Sequence, residues 1–230
     1  MEHKFDRESF LNFVLDNNVV GFSDEPVRAS SGRVSHWNAS WEEILRSPEK
    51  AEQLADYLLH FLDDLGIHYD SLKGISDGAS TLASLAESKR EYRNSPRART
   101  VLVEEVTGSG REMLESVVNL SFLPVAAVGL VNRSERCIGY LDNYLVFEDF
   151  KNLYGRAAKV NRGYQQIHVY SEGVSVPQML SGVCVLHLSM SNALELLPLA
   201  YERIKPDKRT ARVVEEEFRK YGIKDLSLMK

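Results

Sequence analysis

The sequence predicts an α/β fold with a mainly parallel sheet, and three observations predict it. Val101-Leu102-Val103 is a continuous, largely β-branched apolar run flanked by turn residues, the character of a strand buried on both faces. Val125 to Val131 is a second apolar run of this kind, and between the two Met113, Leu114, Val117 and Val118 fall at helical spacing. Strand, glycine-containing loop, helix and strand make a right-handed crossover unit, whose ligand side is the carboxyl end of the first strand.

The elements follow in order. Phe5 to Val20 places Phe10, Phe13, Val14 and Leu15 on one helical face, with a loose end at Asn17-Asn18. Gly21 to Trp41, broken by Pro26 and by Ser30-Ser31-Gly32, reads as two strands around a turn. Leu54, Tyr57, Leu58, Phe61, Leu62 and Leu65 then recur at i, i+3, i+4, i+7, i+8 and i+11. That spacing predicts an amphipathic helix starting at Ser47-Pro48 and closed by Gly66. A short stretch from Ser71 to Ile75 precedes the loop Gly74-Ile75-Ser76-Asp77-Gly78-Ala79-Ser80, and a helix is expected from Thr81 to about Arg90. Lys89 to Arg99 reads as an exposed basic connection. Beyond Arg133, residues 140–153 are expected to be helical and Gln166 to Tyr170 a strand, with Gly155 to Gly163 a basic loop between them. Val183 to Leu188 is expected as a strand, and Asn192 to Arg203 and Thr210 to Tyr221 as helices. No internal repeat or low-complexity tract interrupts this pattern.

Composition narrows the classes of function. A chain of 230 residues, 43% apolar and 27% charged, fits one globular domain. No apolar run reaches the roughly 18–20 residues of a membrane span, and the N-terminus lacks the apolar stretch of a secretory signal, so a cytoplasmic address is expected. Cys137 and Cys184 are too few and too far apart for a disulfide framework or a CxxC metal site, and the six histidines form no HxxxH or HxH cluster. A net charge of -5 argues against nucleic acid or an anionic membrane as partner. It leaves room for a local patch that holds a phosphorylated small molecule.

The strongest chemical signal is Val101 to Glu112. A buried strand delivers two adjacent carboxylates, Glu104 and Glu105, and then the Thr107-Gly108-Ser109-Gly110 loop at the start of a helix. Backbone N–H groups at such a turn, with the helix dipole behind them, can cradle a phosphate. The carboxylates can accept hydrogen bonds from vicinal sugar hydroxyls or help position a divalent cation. The plainer alternative is a βα loop whose acidic residues favour the helix N-terminus.

This stretch resembles the phosphoribosyl pyrophosphate signature of type I phosphoribosyltransferases, and further pieces resemble orotate phosphoribosyltransferases in particular. Gly21 to Val27 and Ser31-Gly32-Arg33-Val34-Ser35-His36-Trp37 are similar to that family's N-terminal hood, and Gly74 to Ala79 to its pyrophosphate loop. Val128 to Arg133 and Ser189 to Pro198 are similar to its later strand and terminal helix. The matching pieces cover about half the chain, in the family's order.

The resemblance implies a type I phosphoribosyltransferase-like fold, with a parallel sheet flanked by helices. Residues 1–46 would form a small hood, and residues 47–230 an α/β core with an atypical insertion at about 137–180. It implies that a base nitrogen, orotate being the expected base, displaces pyrophosphate from phosphoribosyl pyrophosphate, with Mg2+ arriving through the substrate. It implies a homodimer as well. Glu104 and Glu105 would hold the ribose hydroxyls. Thr107, Gly108, Ser109, Gly110 and Arg111 would hold the 5-phosphate, and Gly74, Ser76, Asp77, Gly78 and Ala79 the pyrophosphate. Arg33 would lie near the base or on the subunit boundary.

The sequence also departs from the family. Ser30 stands where lysine is common before Ser-Gly-Arg, Thr81 where close relatives carry lysine, and Arg111-Glu112 where small or hydroxyl residues are usual. Glu105 is one methylene longer than the usual aspartate, a reach of about 1 Å, and misplacement on that scale can cost roughly 100-fold in rate. Only about twenty residues separate Ala79 from Val101, so the family's mobile basic covering loop has no room in its usual form. Two basic stretches are candidates to replace it: Lys89, Arg90, Arg93, Arg97 and Arg99, and the Gly155 to Gly163 segment with Lys159 and Arg162. Solvated charged loops are the plainer reading of both. Trp37 with His36, His60, His168, His187 and Cys184 read as structural rather than catalytic. These departures open a rival function: a homologue that keeps the scaffold and binds nucleotide without turnover. A phosphoribosyltransferase for another base is the third possibility.

Overall fold

Asp6 accepts a hydrogen bond from the Ser9 N–H (3.0 Å) and so opens the first helix, α1 (Arg7–Asp16), of the computed structural model. The structure describes residues 4–28, 34–90, 99–107, 116, 124–133, 186–220 and 226–229. Helix α1 ends at Asn17-Asn18, the stop read from the sequence, where Asn18 turns the chain with φ 54°. That left-handed conformation suits asparagine and delivers Val20 to a strand. Strands β1 (Val20–Arg28) and β2 (Val34–Ala39) form the expected antiparallel pair, with Phe22 opposite Trp37 and a register slip between Phe22 and Val27.

A five-residue helix, α2 (Glu42–Arg46), follows. The sequence reading has no counterpart for it, because so short a piece carries no periodicity. Acidic Glu42 and Glu43 at its start, and an Arg46–Glu42 ion pair along one face, favour it. Helix α3 (Pro48–Asp64) starts at Pro48 and buries Leu54, Leu58, Phe61 and Leu62; Gly66, with φ 64°, closes it as expected.

Strand β3 (Ser71–Gly74) then leads into helix α4 (Asp77–Ser88). The helix begins four residues before the expected Thr81. Ser76 accepts from the Ala79 N–H (3.1 Å), so Asp77, Gly78, Ala79 and Ser80 form its first turn instead of a loop. Strand β4 (Thr100–Thr107) also outruns its apolar centre and carries both glutamates within the ladder. Strands β5 (Ala126–Asn132) and β6 (Leu186–Asn192) complete a four-stranded sheet in the order β3-β4-β5-β6, every pair parallel. Helices α5 (Ala193–Ile204) and α6 (Lys208–Lys220) end the chain's described elements. Asn192 caps α5 by accepting from the Glu195 N–H (3.0 Å).

Packing explains where these elements settle. Helix α4 lies on β3 and β4, α3 on α4, and α2 bridges α3 and α4. Val101, Val103, Ala126, Val128 and Leu188 face this core from the sheet. Phe10, fully buried, stands among the rings of Phe5, Tyr57 and Trp41 with centroids 5.4–6.3 Å apart. Each such side chain contributes about 1.5–3 kcal/mol by burial, which fixes α1 and the start of α2 on α3. At the starts of β3 and β4, the Arg99 N–H donates to Asp70 (2.8 Å). That hydrogen bond holds the Asp70 carboxyl below its ordinary pKa against the opposing effect of burial, with help from the Arg99 guanidinium. The expected helix between β4 and β5, and the elements expected between residues 137 and 185, lie outside the described residues.

Candidate active site

All four parallel strands point their carboxyl ends to one edge of the sheet, and polarity gathers there. Thr107, Asn132 and Asn192 stand in register across β4, β5 and β6, as do Glu104, Gly129 and Ser189 three residues behind them. Rows nearer the strand starts are apolar, such as Val103, Val128 and Leu188. Burying Glu104, Thr107, Asn132, Ser189 and Ser191 at 5% exposure or less costs desolvation, so this edge is not arranged for packing alone.

The β1–β2 pair is tied down over that edge. Arg133, next after β5, donates its N–H to the Thr107 carbonyl (2.7 Å) and its guanidinium to the Trp37 carbonyl (3.0 Å). The same guanidinium lies 4.6 Å over the Trp37 ring. From the other side Glu217 of α6 accepts from Ser35 Oγ (2.8 Å) and from the His36 N–H (2.7 Å). Trp37 is buried against Phe218, as its structural reading expects, and His36 meets the Ser23 carbonyl through Nδ1 (3.1 Å).

Between the β2–α2 junction and the ends of β3 and β4 lies a cavity of about 260 Å³. Ser40, Trp41 and Glu42 form its wall on the hairpin side; Ser76, Glu104, Glu105 and Val106 form the sheet side. Glu104 is buried, whereas Glu105 is half-buried. Ser76 Oγ donates to Glu105 Oε2 at 2.5 Å, and the Glu105 carboxylate rests against Gly78, where a Cβ would come within 2.5 Å of Oε1. Gly74 lies so close under Ala79 and Ser80 that a Cβ there would overlap backbone. The turn from β3 into α4 therefore depends on Gly74, whereas Gly78 makes room for the Glu105 carboxylate.

The structure thus brings Glu104, Glu105, Ser76, Gly78 and the turn from Gly74 to Ala79 together at the expected edge, with Thr107 ending the same strand. Arg33, Gly108, Ser109, Gly110 and Arg111 lie outside the described residues, as do Ser30, Arg93, Arg97, Glu112, Lys159, Arg162, His168 and Cys184. The described part of the first basic stretch is not beside the cavity. Helix α4 runs back to the start of β4, so Lys89 pairs with Asp56 (2.7 Å), Arg90 with Asp63 and Arg99 with Asp70 (3.4 Å), at the amino edge of the sheet. Ser40, Trp41 and Glu42 were not singled out from sequence. Their only signal is position, at the junction between the hairpin and the first turn of α2. Trp41 Nε1 and Ser189 Oγ are buried without a hydrogen-bond partner among the described residues.

This set of groups can do defined chemistry. Carboxylates at the cavity accept hydrogen bonds from hydroxyls, and the amides of the adjoining turn are donors to an anion. Among the described residues no three histidine, cysteine, aspartate or glutamate side chains cluster closely enough to hold a metal ion. Nor is any described helix long and apolar enough to cross a membrane.

No protein-family model and no curated protein sequence matches the chain. Solved structures do match in fold. The UMP synthase of Leishmania donovani superposes with a TM-score of 0.60 at 15% identity, covering 92% of this chain and 42% of that one. The chain therefore spans less than half the length of that protein. The orotate phosphoribosyltransferase of Francisella tularensis gives a TM-score of 0.52 at 15% identity over 92% of this chain and 93% of that one. The corresponding protein of Aeropyrum pernix gives 0.50 at 14% identity over 86% and 99%. The fold is that of the type I phosphoribosyltransferases, a parallel sheet flanked by helices.

Proposed function

We propose that the chain is a phosphoribosyltransferase of the orotate type, acting as a cytoplasmic homodimer. It transfers the phosphoribosyl group of phosphoribosyl pyrophosphate to a pyrimidine base, with orotate giving orotidine 5'-monophosphate and pyrophosphate. The observation that carries the reading is the pair Glu104 and Glu105 at the carboxyl end of β4, lining a cavity beneath the hairpin, with Thr107 ending the same strand.

In this reaction a base nitrogen forms a bond to C1 of the ribose as the C1–O bond to pyrophosphate breaks. The sugar passes through a cationic, oxocarbenium-like state, which needs positioning and charge stabilisation more than covalent help. Glu104 and Glu105 accept hydrogen bonds from the ribose hydroxyls, and their negative charge favours the cationic sugar. Amides of residues 107–110, with Arg111, hold the 5-phosphate, and the turn of residues 74–79 receives the pyrophosphate through the N–H groups of Ser76, Asp77 and Gly78, those of Ile75 and Ala79 donating to Val103 and Ser76. Arg33 and the hairpin close the base side. Magnesium suits the hard oxygen donors of Glu104 and Glu105, but with no three-ligand cluster among the described residues it would be held chiefly by substrate oxygens. When bound, it neutralises part of the pyrophosphate charge.

A second reading, a nucleotide-binding homologue without turnover, is favoured by one observation: the Glu105 carboxylate is engaged by Ser76 instead of facing open space. Orotate absorbance followed with Mg2+ and phosphoribosyl pyrophosphate separates the two. The first reading predicts loss of absorbance. No turnover at high enzyme concentration, with calorimetric binding of phosphoribosyl pyrophosphate retained, selects the second, and turnover only with other bases selects a different base. Glu104→Gln should weaken phosphoribosyl pyrophosphate binding about 10-fold or more while the fold persists, as loss of a charge-assisted hydrogen bond requires. Unchanged affinity would remove Glu104 from the sugar site.

A further inference from the structure

The length of the Glu105 side chain is matched by what stands across from it. Glu104 and Glu105 are adjacent in a strand, so their side chains leave opposite faces of the sheet, and Glu105 shares the face of Val101 and Val103 against which α4 packs. There Ser76 Oγ meets Glu105 Oε2 at 2.5 Å while accepting from the Ala79 N–H at 3.1 Å. An ionised carboxylate only accepts, so the serine hydroxyl donates to it, and the amide on its oxygen fixes the direction in which it does so. Among the described residues Ser76 is the donor that holds this carboxylate. Gly78 supplies the space: a Cβ there would stand 2.5 and 2.8 Å from the two carboxylate oxygens. The contact uses one acceptor site of Oε2. Oε1 and the other site of Oε2 remain to accept at the cavity that Glu105 lines. A side chain already pinned at one oxygen also loses less freedom when a second hydrogen bond forms.

We infer that Ser76 is a positioning residue for the sugar site: its hydroxyl pins the Glu105 carboxylate so that the remaining acceptor sites meet a ribose hydroxyl, and Gly78 keeps the place open. The inference rests on the reading of the cavity as a phosphoribosyl site and deepens it. The serine side chain then has a task besides capping α4, and Glu105 binds sugar without leaving it.

The test is calorimetry of ribose 5-phosphate binding to the full chain, with urea unfolding of each variant alongside. Ser76→Ala, which removes the donor, should weaken affinity about 5-fold or more. Ser76→Thr keeps the hydroxyl as cap and as donor, and should restore binding to within about 2-fold of wild type. Gly78→Ala displaces the carboxylate without touching the cap, and should weaken binding as Ser76→Ala does. In a chain carrying Glu105→Ala, neither Ser76→Ala nor Gly78→Ala should change affinity by more than about 2-fold, because the group through which both act is gone. A serine that served only the helix would spare Gly78→Ala and cost the same affinity in both backgrounds. That pattern, or wild-type affinity in Ser76→Ala, or no rescue by threonine, overturns the inference while the phosphoribosyl reading stands. If wild type binds no ribose 5-phosphate, that reading falls and the inference falls with it.

Discussion

Gly74 and Gly78 stand one turn apart, yet a methyl group would have different consequences at each. At Gly74 it would overlap the backbone of Ala79 and Ser80, which cannot retreat without unseating α4 from β3. At Gly78 it would meet only the end of the Glu105 side chain, which can rotate away. Gly74→Ala should therefore destabilise by about 1–3 kcal/mol, as overpacking does. Gly78→Ala should stay within about 1 kcal/mol of wild type, because alanine also favours the helix. Urea unfolding of the two variants checks the contrast, and equal losses would contradict it. Both glycines lie in the Gly74 to Ala79 stretch that the resemblance marks as a pyrophosphate loop. That Glu105 would fill the space over Gly78 was not legible, because the contact joins residues 27 positions apart and depends on how β3 and β4 pair.

At the scale of elements, local signals carried furthest where chemistry and pattern coincide. The apolar stripe of α3 and the start at Pro48 gave that helix nearly to its ends. The start of α4 was misplaced because a serine cap looks like loop sequence when its partner amide is unseen. Helix α2 stayed hidden because five residues show no period. The attachment of the hairpin was likewise invisible: Glu217, about 180 residues from Ser35 and His36, accepts a hydrogen bond from each. A buried carboxylate with two donors is costly to remove, since both donors lose their partner. Glu217→Ala should lower stability by about 1–3 kcal/mol and speed hydrogen exchange at the His36 amide more than at core amides of β5. Exchange at His36 no faster than in wild type would show that other contacts hold the hairpin.

For the whole molecule, the parallel sheet followed from the crossover unit, and parallel strands put their carboxyl ends on one side. Glu104 and Glu105 were found there because two adjacent carboxylates at the end of an apolar strand form a local pattern. The wall made by Ser40, Trp41 and Glu42 was not, because it is created by tertiary folding of the hairpin onto the sheet. Lys89, Arg90 and Arg99, weighed from sequence as a possible cover for the site against the plainer reading of a charged surface stretch, pair with Asp56, Asp63 and Asp70 at the amino edge, because sequence proximity to the site says nothing about the direction in which α4 returns. The central claim is that the cavity between the hairpin and the ends of β3 and β4 holds a phosphorylated ribose. Amide and indole NMR shifts on titration with ribose 5-phosphate test it most directly. The account predicts saturable shifts at Glu104, Glu105, Thr107 and the amides just after it, together with the Trp41 indole. Absent shifts, or shifts confined to residues away from that edge, would contradict it.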